Sequence, residues 1–317
     1  MILKLLPVLK DYLWGGTKLK TDYKFETSLD KVAEGWMLSC HKDGKSIVSG
    51  GAYDGKTLDE VINSEGKNIL GRNAKKFDFF PILIKLIDAE KDLSVQVHPD
   101  NEYAMRVEGE YGKTECWYII DCEKDAELIY GFKEKISGEE FKRRIEDNTF
   151  LDVVNKVKVK KGDFFFIEAG TLHAIGKGIL LAEIQQNSNT TYRVYDYNRL
   201  GADGKPRQLH TQKAVDVTVC EPPKTYNLGS TVKNDGYSEK LLTTCDLFTV
   251  TEFEINKSLK RVADNKSFVS ILVVDGEGVL YSSSERTSLK KGDSIFIAAD
   301  SGDFEIKGNL QILETRI

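Results

Sequence analysis

The chain has 317 residues, 40% of them hydrophobic and 30% charged, and a formal net charge of −5. That balance belongs to a globular protein with room for two domains, and its acidity argues against nucleic acid or an anionic membrane as the main partner. Apolar runs such as Phe79-Phe80-Pro81-Ile82-Leu83-Ile84 are too short to span a bilayer. The first residues lack the length and cleavage pattern of a signal peptide. Five widely spaced cysteines (Cys40, Cys116, Cys122, Cys220, Cys245) contain no Cys-x-x-Cys pair and suit reduced thiols in a cytoplasm.

Taken in chain order, β signals dominate: short apolar runs separated by Gly, Asp and Asn turns, as in sandwiches and barrels. Leu58 to Leu70 reads as a short helix with Thr57 as its cap. Leu93-Ser94-Val95-Gln96-Val97-His98-Pro99 reads as a strand that stops at the proline. A second helical piece starts at Asp100 or Asn101. Lys113-Thr114-Glu115-Cys116-Trp117-Tyr118-Ile119-Ile120 is a strand rich in aromatic and β-branched residues. The clearest helix runs from Ser137 to Asn155, with Ser137 as its cap and Phe141, Ile145 and Leu151 along one side. Lys161 to Ile175 reads as turn, strand, turn and then His173. Leu180 onward begins as a strand with Glu183 and Gln185 on one face. Glu221-Pro222-Pro223-Lys224 is the best domain punctuation.

In a strand, Gln96 and His98 project to one face and Val95 and Val97 to the other. An imidazole beside a neutral oxygen donor on a rigid wall is half of a metal site. Glu115 is costly to bury unless it is paired or metal-bound, and His173 follows a strongly apolar strand, an unusual place for a solvated histidine. Two imidazoles, a carboxylate and an amide oxygen suit Zn²⁺; the two-histidine, one-carboxylate subset equally suits non-haem Fe(II). The plainer alternatives are an ion pair of Glu115 with Lys113 and hydrogen-bonded core histidines at 98 and 173. Cys116 and Cys122 read as packing residues. Downstream, Arg193 and Arg199 sit among tyrosines; a guanidinium fork suits phosphate or an oxyanion, while surface pairs with Asp196 and Glu183 explain them as well. Lys113 adds a point charge near the metal candidates.

An internal repeat points to two similar domains. Lys161-Gly162-Asp163-Phe164-Phe165-Phe166-Ile167-Glu168-Ala169 resembles Lys291-Gly292-Asp293-Ser294-Ile295-Phe296-Ile297-Ala298-Ala299, and a strand-like run precedes each. At the offset of His173 the second copy has Asp303, so the copy is expected to keep the fold and lack the metal.

Leu93 to Asp100, Lys113-Thr114-Glu115, Gly170-Thr171-Leu172-His173-Ala174, and Glu183 through Asn187-Ser188-Asn189 to Arg193 together resemble the type I mannose-6-phosphate isomerases in their short bacterial form. Leu13-Trp14-Gly15-Gly16 and Glu34-Gly35-Trp36-Met37-Leu38-Ser39 are similar to the N-terminal patterns of that family. The resemblance implies a mainly β fold of two cupin-type jelly-roll barrels with a few short helices. Residues 1–222 would form the metal-bearing catalytic domain, with a small helical insertion around 137–155, and residues 223–317 a metal-free cupin-like domain. It implies one Zn²⁺ per chain held by Gln96, His98, Glu115 and His173, and catalytic roles for Arg193, Glu183 and Lys113. Thr114 replaces a proline of the longer relatives, and Asn189-Thr190 replaces Asp-Asn.

The implied reaction is reversible isomerisation of mannose 6-phosphate to fructose 6-phosphate through a zinc-stabilised cis-enediol. Arg193 would stabilise the developing negative charge, and Glu183, its pKa tuned by burial, would be the preferred base. The expected partner is a small sugar phosphate, with no nucleic acid and no membrane, in a cytoplasmic monomer or weak homodimer. The alternatives are a non-haem Fe(II) cupin oxygenase and an isomerase of another phosphorylated aldose.

Overall fold

The computed structural model describes residues 1–201, 204–283 and 285–317, a mostly β chain with five short α-helices among the described residues. Contacts divide it into two compact units. One joins Met1–Val8, Trp36–Ile84 and Asn227–Ile317; the other joins Leu9–Gly35 and Lys85–Tyr226. This departs from the contiguous division expected at 222/223. The cause is strand pairing: Ile2–Leu6 buries Leu3 and Leu5 and hydrogen-bonds antiparallel to Ser294–Ile297, with Ile2 opposite Ile297. Ile47–Ser49 pairs with its other edge.

In the unit that holds the C-terminal residues, two long strands, Val269–Ser282 and Gly302–Arg316, form the spine of a sheet from Ser270 opposite Thr315 to Ser282 opposite Phe304. The register shifts between Val273 and Asp275, and Gly276 follows with φ 78°. A Cβ there would lie 2.1 Å from the Asn309 carbonyl oxygen, so only glycine fits the bend. Phe253, Ile271, Val273, Ile295 and Ile312 belong to its core. The helix Leu58–Glu65 carries the Thr57–Glu60 capping box and stops at Gly66, whose φ is 87°. It is shorter than the predicted 58–70; Lys67–Leu70 is a separate 3₁₀ turn.

The other unit contains a sheet of Val154–Lys158, Glu127–Phe132, His173–Ile175, Val95–Val97 and Tyr192–Tyr195, in that order. Phe164–Ile167, Glu115–Cys122 and Ile179–Gln186 are neighbours in a second sheet. Trp117, Ile119 and Leu181 of the second sheet pack in one core with Leu128 and Ile175 of the first. The opposite face of the five-stranded sheet carries Val95, Val97, Ala174, Tyr192 and Val194 and is covered by Phe141 and Ala214 from two helices. One of them, Gly138–Glu146, is capped by Ser137, whose hydroxyl accepts from the Glu140 N–H at 3.1 Å. It ends nine residues before the predicted Asn155. Asn148 turns left-handed (φ 57°), and β-branched Val154 enters the sheet beside Phe132. Asn101–Val107 starts at the predicted place, with the Asp100 carboxylate accepting from the Tyr103 N–H at 2.8 Å.

The predicted repeat is visible in each unit. Gly162 and Gly292 have φ 84° and 86°. The Lys160 N–H donates to Asp163 Oδ2 at 2.9 Å, and the Lys290 N–H to Asp293 Oδ2 at 2.8 Å. Each aspartate thus closes the turn that feeds the next strand.

Candidate metal centre

Strand alternation builds the site. Val95 and Val97 point into the helix-covered core, which turns Gln96 to the other face. Gln96 is paired across the sheet with His173 on one side and Arg193 on the other. His98 lies just beyond the three-residue strand Val95–Val97 and keeps the same direction. Glu115 opens its own strand, opposite Ile167 and Gln185.

The side chains converge. Glu115 Oε1 is 3.4 Å from His173 Nε2, Glu115 Oε2 is 3.8 Å from His98 Nε2, and Gln96 Nε2 is 3.5 Å from His173 Nε2. Ligand atoms of His98, Glu115 and His173 all lie within 4.8 Å of one another, in full burial. Each imidazole is held from behind: His98 Nδ1 is 2.8 Å from the Thr190 carbonyl oxygen, and His173 Nδ1 is 2.8 Å from that of Thr171. A carbonyl only accepts, so both Nδ1 atoms carry the proton and both Nε2 lone pairs face the cluster.

Electrostatics agree with a cation there. Burial, reinforced by Lys113, holds His98 well below its usual pKa and His173 at about 4, so both are neutral at pH 7. Burial and the Glu183 charge push Glu115 up to about 7 against the pull of Lys113. Glu115 Oε1 is buried with no hydrogen-bond partner. Lys113 Nζ sits 2.6 Å from Glu115 Oε2 and 3.1 Å from His98 Nε2, so the ion pair is present as well, but it leaves Oε1 unpaired. Two neutral imidazoles, a carboxylate and a carboxamide fit a divalent cation of the zinc type.

Gln96 also lines a cavity of about 280 Å³ whose walls include Trp14, Glu34, Lys85, Lys113, Glu183, Arg193 and Arg207. Buried charges alternate along one wall. Lys85 Nζ is 3.6 Å from Glu34 Oε2 and 3.2 Å from Glu183 Oε1, and Lys113 Nζ is 3.7 Å from that same Glu183 oxygen. Trp117 Nε1 donates to Glu183 Oε2 at 3.0 Å. The other wall is cationic. Arg193 donates to Ser94 Oγ at 3.3 Å and to the Gln208 carbonyl at 3.0 Å, and makes no ion pair among the described residues. Arg207 binds the Asp196 carboxylate through two nitrogens, at 2.7 and 2.6 Å.

Residues 2–129 match the family model for the phosphomannose isomerase type I catalytic domain, and residues 238–317 match that for the mannose-6-phosphate isomerase cupin domain. A mannose-6-phosphate isomerase of Bacillus subtilis is 41% identical over 316 residues, covering 98% of this chain and 97% of the relative. The chain belongs to the type I phosphomannose isomerase family. Another mannose-6-phosphate isomerase, from Streptococcus mutans, is 37% identical, covering 95% of this chain and 93% of its own. The crystal structure of the mannose 6-phosphate isomerase of B. subtilis matches at 39% identity with a TM-score of 0.93, covering 100% of this chain and 99% of that one.

In this family member the fold brings Gln96, His98, Glu115, His173, Lys113, Glu183 and Arg193 into one unit. Arg199 follows the plainer reading: it is tied to Asp196 at 2.5 Å and donates to the Asp92 carbonyl. Glu183 departs from its expected character. Burial pushes its pKa up, but Lys113, Lys85 and the Trp117 N–H together pull it down to about 2. Such a carboxylate is a weak base, which weighs against Glu183 as a base tuned upward by burial. Sequence reasoning missed Lys85, Glu34 and Arg207. Lys85 was findable: a lone lysine inside Ile82-Leu83-Ile84-Lys85-Leu86-Ile87 belongs to a strand that is buried throughout.

Proposed function

We propose that this protein interconverts mannose 6-phosphate and fructose 6-phosphate, with one Zn²⁺ per chain held by Gln96, His98, Glu115 and His173. The observation that carries this reading is the aim of two neutral Nε2 lone pairs and an unpaired Glu115 oxygen at one point beside a charged cavity. Bound there, the cation would supply Lewis acidity toward the sugar carbonyl and its neighbouring hydroxyl, favouring the cis-enediol.

The protein's own groups do the rest. The sugar phosphate enters with its phosphate toward Arg207, while Arg193, paired across the sheet with Gln96, faces the oxygens on which negative charge develops. Lys113 and Lys85 present ammonium groups toward the carbons whose proton moves, and hydrogen-bond the oxygens on which negative charge develops. Glu183 Oε1, which faces both ammonium groups, fixes their positions within a tightly coupled cluster of Glu34, Lys85, Glu183, Lys113 and Glu115. Trp14 and the apolar strand residues around it limit water beside the reacting carbons.

Among the described residues no helix is long and apolar enough to cross a membrane; we propose a cytoplasmic monomer or weak homodimer. The Fe(II) oxygenase reading needs open coordination positions, which Gln96 beside His173 works against. A coupled assay of mannose 6-phosphate conversion, run with and without oxygen, tests the proposal. Oxygen-independent formation of fructose 6-phosphate is expected. Oxygen consumption without isomerisation would overturn it.

A further inference from the structure

The strand Ile179–Gln186 ends in a polar turn that neither the metal set nor the cavity wall explains. Gln185 is fully buried, and its backbone lies opposite Glu115. Its carboxamide nitrogen spends both hydrogens on the turn that follows, donating to the Gln186 carbonyl at 2.7 Å and the Ser188 carbonyl at 2.6 Å. The Gln185 Oε1 atom is buried with no hydrogen-bond partner. The orphaned end works against stability, so what the satisfied end contributes is the geometry of the turn it holds.

What the turn delivers is the Thr190 carbonyl. Ser188, itself fully buried, accepts from the Thr190 N–H through Oγ at 3.2 Å, and the Ser188 N–H donates to the Gln186 carbonyl at 2.8 Å. The Thr190 carbonyl then receives the His98 Nδ1 proton at 2.8 Å. At the other end, Gln186 grips the residue before Glu115. Its Oε1 accepts from the Thr114 N–H at 3.0 Å, and its backbone N–H donates to the Thr114 carbonyl at 3.1 Å. One turn is therefore tied to the segments that carry two of the proposed ligands.

We propose that Gln185 is a positioning residue for the metal centre: its carboxamide staples residues 186–190 so that the Thr190 carbonyl fixes the tautomer and direction of His98. The inference rests on the metal reading of the site. Groups that orient a metal-bound imidazole typically carry about 10–100-fold of metal affinity.

The test compares the wild-type protein with Gln185→Met, which keeps length and removes both donors, and with Ser188→Ala, which removes only the hydroxyl that holds Thr190. Each is loaded with Zn²⁺ and titrated with a competing chelator. Each is also loaded with Co²⁺ and its visible absorption recorded. Gln185→Met is expected to raise the metal dissociation constant by about 10–100-fold and to change the cobalt band. Ser188→Ala is expected to shift both in the same direction by less. A purely structural role lowers the thermal midpoint and leaves dissociation constant and cobalt band unchanged; that result overturns the proposal. If Gln185→Met does not fold, Ser188→Ala decides on the same readouts. A wild-type protein that binds neither ion stoichiometrically would instead overturn the metal reading itself.

Discussion

Lys85→Met replaces the ammonium between Glu34 and Glu183 with an uncharged side chain of similar length. In the native unit the Lys85 side chain is 5% exposed, and those of Glu34 and Glu183 are 10% and 4% exposed. At 3.2 and 3.6 Å, each attraction is worth about 5 kcal/mol gross at an effective dielectric constant of about 20. Desolvating three charged groups offsets most of that, but removing the central partner takes from two buried carboxylates their shared ammonium and leaves Glu183 with Lys113 and the Trp117 N–H, and such losses cost about 3–5 kcal/mol. Urea unfolding followed by tryptophan fluorescence at pH 7 should show a loss of that size.

The loss also has a pH signature. In the wild type, Glu183 is held at about 2 against an ordinary 4.5, so it contributes stability that is fully present above about 4.5 and lost as pH falls through 2. Without Lys85, only Lys113 and the Trp117 N–H oppose burial at Glu183, so its pKa rises, and protonation then relieves the variant as pH falls. The gap between the two proteins should therefore narrow from pH 7 toward pH 3. A loss under 1 kcal/mol at pH 7, or a gap that widens on acidification, would show that Lys85 does not hold the two carboxylates.

Arg193→Glu should lower turnover about 10²–10³-fold, the scale of losing one oxyanion-stabilising donor, while zinc content by elemental analysis stays at the wild-type level; near-full activity would remove Arg193 from the reaction. Arg207→Ala should raise KM for the sugar phosphate about tenfold with kcat changed less than about twofold, as expected for a group that binds ground and transition states alike. In the other unit, Glu314 is 2% exposed and paired with Arg261 at 2.7 Å and Arg316 at 2.8 Å. Burial pushes its pKa up, but the two arginines hold it below the usual 4.5. Its contribution is present above about 4.5 and lost as pH falls below it. Thermal melts of Glu314→Gln should accordingly show a lower midpoint than wild type at pH 7 and a smaller difference at pH 3.

The shared face of Gln96 and His98 was legible in the sequence because strand alternation is a local property: Val95 and Val97 on one face place Gln96 and His98 on the other, whatever the strand pairs with. The Lys-Gly-Asp turns were legible for the same reason. The division of the chain was not, because the partner of Ile2–Leu6 lies some 290 residues away at Ser294–Ile297, and no local pattern records that register. The helix from Ser137 was placed correctly at its capped start and too far at its end. Ile145 and Leu151 continue the apolar spacing, but Asn148 breaks the backbone between them. Glu183 reads in the sequence as a base tuned upward by burial; in the fold Lys113 and Lys85, the latter almost a hundred residues upstream, pull its pKa down instead. Arg193 and Arg199 looked alike in sequence; they separate only in space, where Asp196 takes Arg199 and leaves Arg193 facing the cavity.

We propose that four side chains hold one divalent ion and that isomerisation depends on it. Elemental analysis and the coupled isomerase assay on the same samples, before chelation, after chelation and after Zn²⁺ is returned, test it most directly, with His98→Ala carried alongside. One zinc per chain is expected in the active protein, with joint loss of zinc and turnover on chelation, joint recovery, and little of either in His98→Ala. Full turnover in a sample stripped of metal would contradict it.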